Sequence, residues 1–358
     1  MEHRQLGASG LRVPVLALGT ATFGGRGIFE AMGSTDLAGA RRMLDMCRDA
    51  GVSLVDTADE YSGGQAEEII GEAIHGRRDD VILATKAGMA IGDGPNDAGS
   101  SRCHLVRACE ASLRRLGTDH IDLYQLHQWD GQTPLEETME ALDTLVRTGK
   151  VRYIGASSFA GWQLMKALAI ADRCGYQRIV AHQVHYTLEA REAEHELVPV
   201  SLDQGVGLLV WSPLAGGLLT GKYRRGQAPE GSRHSTEWWK EPPIRDAARL
   251  EAIVDLLVEI GDGHGVSAAR VALAWLLGRP GVTSLVIGAR TPEQLADNLG
   301  AADLRLAPDE RTRLDTLSAP PLPYPHWRHA LSAPDRLGTP ELAVLWPYIP
   351  ERPTPERE

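Results

Sequence analysis

Short apolar runs alternate with amphipathic stretches along most of the chain. The runs are Val15–Gly19, Val52–Asp56, Val81–Thr85, Ile121–Leu126, Val151–Ala156, Ile179–Gln183, Gly207–Trp211 and Ser284–Ile287. They are rich in Val, Ile and Leu, as strands buried on both faces should be. Between them, apolar residues recur at helical spacing. Leu105, Cys109, Leu113 and Leu116 share one face, with Arg107, Glu110, Arg114 and Arg115 on others. Leu135, Met139, Leu142 and Leu145–Val146 repeat the rhythm until Gly149 stops it. Ser34 or Thr35 is placed to cap the first helix, which ends near Ala50 at Gly51. Another helix is expected from Ala66, and others over about 161–174, 192–204, 246–261, 267–278 and 292–300. Turn signals at Gly7 and Gly10 predict a small hairpin within residues 1–14.

Eight strand-then-helix units with one additional helix predict an α/β fold, a single (β/α)8 TIM barrel. The competing architecture, a doubly wound sheet, is expected to carry a Gly-rich phosphate turn after its first strand. No G-x-G-x-x-G occurs in the sequence, which favours the barrel. The expected organisation is a barrel over residues 1–330 and a C-terminal extension over 331–358. The Pro-rich tail from Ser318 carries Tyr324, Trp327, Trp346 and Tyr348, so parts of it are expected to pack on the barrel, while Glu351–Glu358 read as disordered. A long loop follows the seventh strand, from Ser212 to about Arg245. It holds Trp238 and Trp239 and reads either as a lid or as a surface excursion.

Composition narrows the function. The formal charge of −11 argues against a nucleic-acid partner, because phosphate binding needs a basic surface. Met1–Gln5 lacks the apolar core of a signal peptide, and no run approaches the roughly 18 apolar residues of a membrane helix. Cys47, Cys103, Cys109 and Cys174 show no CxxC spacing, which points to reduced thiols in a cytoplasmic protein. No metal site is expected, and a homo-oligomer is compatible with the sequence.

Chemistry in such barrels gathers at the C-terminal ends of the strands. In order, those ends offer Gly19-Thr20, Asp56 with Tyr61, Lys86, His127, Ser157-Ser158, Gln183, Trp211-Ser212 and Gly288. Each alone has an ordinary structural explanation; their shared position raises the joint reading. A phenol is a weak acid, with a pKa of about 10, that a nearby ammonium makes stronger. An imidazole can orient its proton, and a carboxylate can hold the lysine. Asp56, Tyr61, Lys86 and His127 thus form a proton donor suited to a carbonyl oxygen gaining charge. Hydride addition is the simplest such reaction, and it implies a nicotinamide cofactor. Trp211 can stack on the ring, Ser157, Ser158 and Gln183 can bind its carboxamide, and Arg290 with the following helix N-terminus can meet a phosphate.

These residues sit in motifs that resemble the aldo-keto reductases over about residues 4–328. The motifs are Val55-Asp56-Thr57-Ala58-Asp59-Glu60-Tyr61-Ser62-Gly63-Gly64, Ala84-Thr85-Lys86, Asp122-Leu123-Tyr124-Gln125-Leu126-His127, Gly149 through Gly155, Trp211 through Lys222, and Gly288 through Leu295. The resemblance implies an NADPH-dependent reduction of an aldehyde or ketone, with Asp56, Tyr61, Lys86 and His127 as the tetrad and Tyr61 as the acid. It implies cofactor contacts from Gly19, Thr20, Ala21, Asp56, Ser157, Ser158, Gln183, Trp211, Ser212, Pro213, Leu214, Gly216, Lys222, Gly288, Arg290, Gln294 and Asn298. Phe23, Tyr61, His127, Trp129, Trp238 and Trp239 are expected to line the pocket for a small-molecule carbonyl. One departure is visible: the family has Ser-Asn where this chain has Ser157-Ser158. The resemblance extends to potassium-channel β subunits, so a cofactor-binding regulatory subunit with little turnover is the alternative. A lyase using Lys86 as a Schiff-base amine is a further reading.

Overall fold

The computed structural model describes residues 1–224 and 243–350. The hairpin of β1 (His3–Gln5) and β2 (Arg12–Pro14) precedes a closed parallel barrel. Its strands are β3 (Leu16–Gly19), β4 (Leu54–Asp56), β5 (Ile82–Ala87), β6 (Ile121–Leu126), β7 (Val151–Ser157), β8 (Ile179–His185), β9 (Gly207–Trp211) and β10 (Val282–Ile287). Neighbours pair in sequence order, and β10 closes on β3 through Leu285 opposite Leu16. All eight expected runs are therefore strands of one barrel. Several extend further toward the C-terminal end than their apolar runs: β5 continues through Lys86 and Ala87 because each pairs with β6, opposite Gln125 and Leu126.

The helices are α1 (Leu37–Asp49), α2 (Gln65–Ala73), α3 (Arg102–Leu116), α4 (Leu135–Arg147), α5 (Gly161–Cys174), α6 (Leu197–Gln204), α7 (Ala247–His264), α8 (Ala268–Leu277), α9 (Pro292–Leu299), α10 (Pro308–Ser318), α11 (His326–Ser332) and α12 (Thr339–Leu345). Two expectations need correction, and one further helix was not expected. Asp36, and not Ser34 or Thr35, caps α1, its carboxylate accepting from Gly39 N at 2.8 Å. The helix expected over 192–204 is a 3-10 turn, Glu192–Glu194, followed by α6. Helix α10 was hidden in the sequence by its weak apolar face, which buries Leu314.

Two apolar layers hold the barrel. Ala17, Leu54, Ala84, Leu123, Ala181, Leu209 and Val286 form an inner cluster with Leu6 and Val13 of the hairpin segment. Gly7 allows the hairpin to approach the barrel closely: a Cβ there would lie 2.4 Å from Gly205 O. The larger cluster fills the space between strands and helices. With burial contributing roughly 25 cal/mol per Å² of apolar area, these layers hold rigid the rim that carries the site. In the tail, α12 packs on α6 and buries Val344 and Leu345, and Tyr348 donates to Pro320 O at 3.1 Å. Trp346 and Tyr324 instead face solvent, 70% and 76% exposed. The 330/331 division falls inside α11. Trp238, Trp239 and Glu351–Glu358 lie outside the described residues.

Candidate active site

Asp56 is the last residue of β4, and the chain beyond it stays close to β5. Thr57 N donates to Ala84 O at 2.9 Å and Asp59 N to Lys86 O at 3.1 Å. Tyr61 then opens a tight turn in which Ser62, Gly63 and Gly64 take φ of 54°, 65° and 91°. Glycine adopts that region freely; serine does so at a cost of roughly 1 kcal/mol. Two bonds hold Ser62 there: its hydroxyl donates to Phe23 O at 2.7 Å and accepts from Gly25 N at 3.0 Å. The turn is thereby fixed against the β3–α1 loop, and so is Tyr61.

Lys86 lies beneath the turn, fully buried. An ammonium has three N–H donors, and each is committed here. One goes to Asp56 Oδ2 at 2.5 Å, one to Thr57 O at 2.9 Å, and one to Tyr61 Oη at 3.2 Å. Asp56 is equally committed, since its Oδ1 accepts from Gln183 Nε2 at 2.8 Å and Gln125 Nε2 at 3.1 Å. The carboxylate therefore holds the lysine and has little left to act as a base. Because the phenol oxygen accepts from Lys86, its own hydrogen remains available to the cavity above. The Tyr61 ring is held 5.3 Å from Phe29 and edge-on to His127 at 5.8 Å.

Burial and charge set the protonation states. Burial alone would lower the Lys86 ammonium, but Asp56 and Tyr61 reverse this and hold it above its ordinary value. A lysine so charged and triply bonded is not a free amine, which removes the Schiff-base reading. Burial raises the Tyr61 phenol and Lys86 pulls against it; the net direction is upward. The expected acidification by lysine is present but outweighed, and the phenol stays protonated at neutral pH as a proton donor must. His127, directly after β6, is pushed down to about 3 by burial and then by Lys86, so its imidazole is neutral. Its backbone N–H donates to Ala87 O at 2.9 Å.

Above this group is a cavity of about 610 Å³, lined by Gly19, Thr20, Ala21, Asp56, Tyr61, His127, Ser157, Ser158, Gln183, Trp211 and Ser212 among others. A second, of about 270 Å³, is lined by Pro213, Leu214, Gly216, Lys222, Arg290, Gln294 and Asn298. Thr22, Ser212 and Gly288 line both, so the two make one cleft running from Tyr61 to the N-terminus of α9. An extended dinucleotide fits that shape. The donor set fits as well. The Trp211 indole N–H is buried with no hydrogen-bond partner among the described residues, and the turn after β9 takes positive φ at Ser212, Ala215, Gly216 and Gly217, a conformation that forms anion-binding concavities. At the far end Gln294 Oε1 accepts from Arg290 N at 2.9 Å, and Asn298 Nδ2 donates to Gly288 O at 3.3 Å. The Arg290 guanidinium donates to Ala31 O at 2.5 Å and Met32 O at 3.1 Å, tying the β3–α1 loop to this end of the cleft.

Comparison with known proteins agrees with this geometry. Residues 15–319 match the model of the Aldo/keto reductase family. The chain belongs to that family. It is 44% identical over 319 residues to the uncharacterized oxidoreductase YrpG of Bacillus subtilis, covering 86% of this chain and 92% of the relative. It is 38% identical over 313 residues to a probable voltage-gated potassium channel subunit beta of Arabidopsis thaliana, covering 85% and 92%. It is 34% identical over 352 residues to the versiconal hemiacetal acetate reductase of Aspergillus parasiticus, covering 91% and 99%. As an aldo/keto reductase this chain is an oxidoreductase of a family that uses nicotinamide cofactors.

For this aldo/keto reductase, the pocket residues expected from sequence fall in different places. Tyr61 and His127 line the cavity. Phe23 is fully buried in the core, and Trp129 packs edge-on against Phe159 and Trp162 at 5.3 and 5.4 Å. Residues overlooked in the sequence line the wall instead: Ile28, Phe29 and Met32 of the β3–α1 loop, with Glu60, Met89 and Gln128. Gln125 was overlooked too, though a glutamine at an inward position of an apolar strand was a readable signal.

Ser158 has φ 55° and its N–H donates to Gln183 O at 3.0 Å. Asparagine tolerates that left-handed backbone better than serine. Ser158→Asn is therefore expected to fold normally, melt no lower than the parent and bind NADPH at least as well. A loss of affinity of tenfold or more, about 1.4 kcal/mol, would mean that the serine hydroxyl serves another contact.

Proposed function

We propose that the protein reduces an aldehyde or ketone to its alcohol with NADPH, Tyr61 delivering the proton. The observation that carries this reading is the Lys86 N–H directed at Tyr61 Oη, which orients a protonated phenol toward the cavity. A reduced nicotinamide bound in the cleft would supply the hydride. Lys86 steadies the phenolate left when the proton departs, and Asp56 keeps Lys86 charged. Neutral His127 would help orient the carbonyl oxygen beside Tyr61. Ser157, Ser158 and the side-chain Oε1 of Gln183, which accepts no hydrogen bond among the described residues, would hold the carboxamide, Trp211 would support the ring, and the turn from Ser212 to Gly217 with Lys222 would take the phosphates. The free thiols of Cys47, Cys103, Cys109 and Cys174 suit a reducing, cytoplasmic setting. No helix among the described residues is long and apolar enough to cross a membrane.

A second reading, a cofactor-binding regulatory subunit, draws on the likeness to the Arabidopsis channel subunit. The intact Asp56–Lys86–Tyr61 arrangement favours the enzyme. Turnover on a panel of sugars, aldehydes and ketones separates the two readings, because sustained consumption of NADPH is expected only of the enzyme. Cofactor choice gives a sharper test. With Arg290 as the 2′-phosphate clamp, Arg290→Ala should weaken NADPH by at least about tenfold, as expected for a charge-assisted bond, while leaving NADH nearly unchanged. Equal loss for both would mean that Arg290 acts only through its tether to Ala31 and Met32.

A further inference from the structure

Glu60 adjoins the tetrad, and no step above uses it. It lines the larger cavity beside Tyr61 and His127, with its side chain 16% exposed. Glu60 Oε1 lies 3.5 Å from His127 Nδ1, yet that nitrogen is buried without a hydrogen-bond partner among the described residues. No N–H or O–H among the described residues donates to the carboxylate. Carboxylates buried this far ordinarily collect donors; this one keeps its acceptor capacity for whatever enters the cavity.

Among the described residues no cation pairs with Glu60: burial raises its carboxyl above the ordinary value and the Lys86 charge pulls only partly against this, so the carboxylate is fully present on the alkaline side. Asp56 is neutralised by Lys86 at 2.5 Å. His127 is neutral. No lysine or arginine lines the cavity among the described residues. Glu60 is thus the net negative charge next to the place where a carbonyl would meet Tyr61, while Ile28, Phe29 and Met32 supply an apolar wall for a carbon chain.

We propose that Glu60 is a specificity-determining residue: it accepts a hydrogen bond from a hydroxyl borne next to the reacting carbonyl and turns away carbonyls that carry a carboxylate there. The proposal rests on the reductase reading, and a binding measurement separates the two.

The binding test uses benzamide and benzoate as isosteric cavity ligands of the NADPH-loaded protein at mildly alkaline pH, by calorimetry. The parent is expected to bind benzamide at least about tenfold more tightly, the penalty of one like charge at short range, and Glu60→Gln to erase most of that preference. The kinetic test compares glycolaldehyde and glyoxylate with propanal. Dividing each variant's ratio by the parent's cancels intrinsic reactivity. Glu60→Gln should raise relative kcat/KM for glyoxylate and lower it for glycolaldehyde, each by about tenfold. Unchanged ratios in both tests would overturn the proposal. So would an equal fall for all three carbonyls with a displaced pH profile, which would make Glu60 a positioning residue for His127. If the benzamide preference behaves as stated and no carbonyl turns over, the reductase reading fails and the recognition by Glu60 stands.

Discussion

Tyr61→Phe is expected to lower turnover by on the order of 10²–10⁴, the usual range for losing a positioned general acid, while NADPH still binds. The substitution removes one hydroxyl and keeps the ring, so the contacts with Phe29 and His127 persist. The residues assigned to the cofactor lie mainly on other strands and loops, which is why binding should survive. Rate measurement on a good carbonyl substrate checks the first half, and quenching of tryptophan fluorescence by NADPH, through Trp211, checks the second. Near-normal turnover would remove Tyr61 from the chemistry. Loss of cofactor binding with the fold intact would place it in the binding site and strengthen the regulatory-subunit reading.

Asp56→Ala carries the largest expected effect on stability. The carboxylate accepts from Lys86, Gln125 and Gln183. Removing it leaves a buried ammonium supported only by Thr57 O and Tyr61 Oη. Breaking one side of a buried ion pair costs about 3–5 kcal/mol, mostly through the charge left unpaired. Urea unfolding should show that loss, and turnover should fall with it because Lys86 no longer holds Tyr61. Asp56→Asn keeps one acceptor oxygen and should lose less stability. Lys86→Met should depress turnover in the same direction as Tyr61→Phe, since an unassisted phenol is a weak donor. A loss below about 1 kcal/mol for Asp56→Ala, the scale of an exposed pair, would show that the buried geometry is not what holds the site.

The barrel was legible because its signal is local. Parallel strands buried on both faces read as apolar runs, and the alternation with amphipathic helices leaves few architectures to choose between. The grouping of Asp56, Lys86, Tyr61 and His127 was legible for the same reason, since three of them end or follow such a run and Tyr61 lies in the turn after one. What escaped depends on the third dimension. Phe23 and Trp129 are aromatic residues in loops near the rim, and nothing in the sequence says that one turns into the core and the other packs edge-on against Phe159 and Trp162. Ile28, Phe29 and Met32 face the cavity because Ser62 and Arg290, distant in sequence, tie their loop down. The direction of the Tyr61 shift was also out of reach, because it depends on how deeply the ring is buried against the pull of Lys86.

The most direct measurement of the central claim follows a labelled hydride. NADPH deuterated at the transferable position is incubated with the protein and a reactive aldehyde, and the alcohol is examined by NMR. Carbonyl reduction by direct hydride transfer predicts one deuterium on the carbinol carbon, formed over many turnovers by the parent protein and far more slowly by Tyr61→Phe. Bound NADPH that stays unoxidised beside every carbonyl offered, or an alcohol carrying no label, would contradict it.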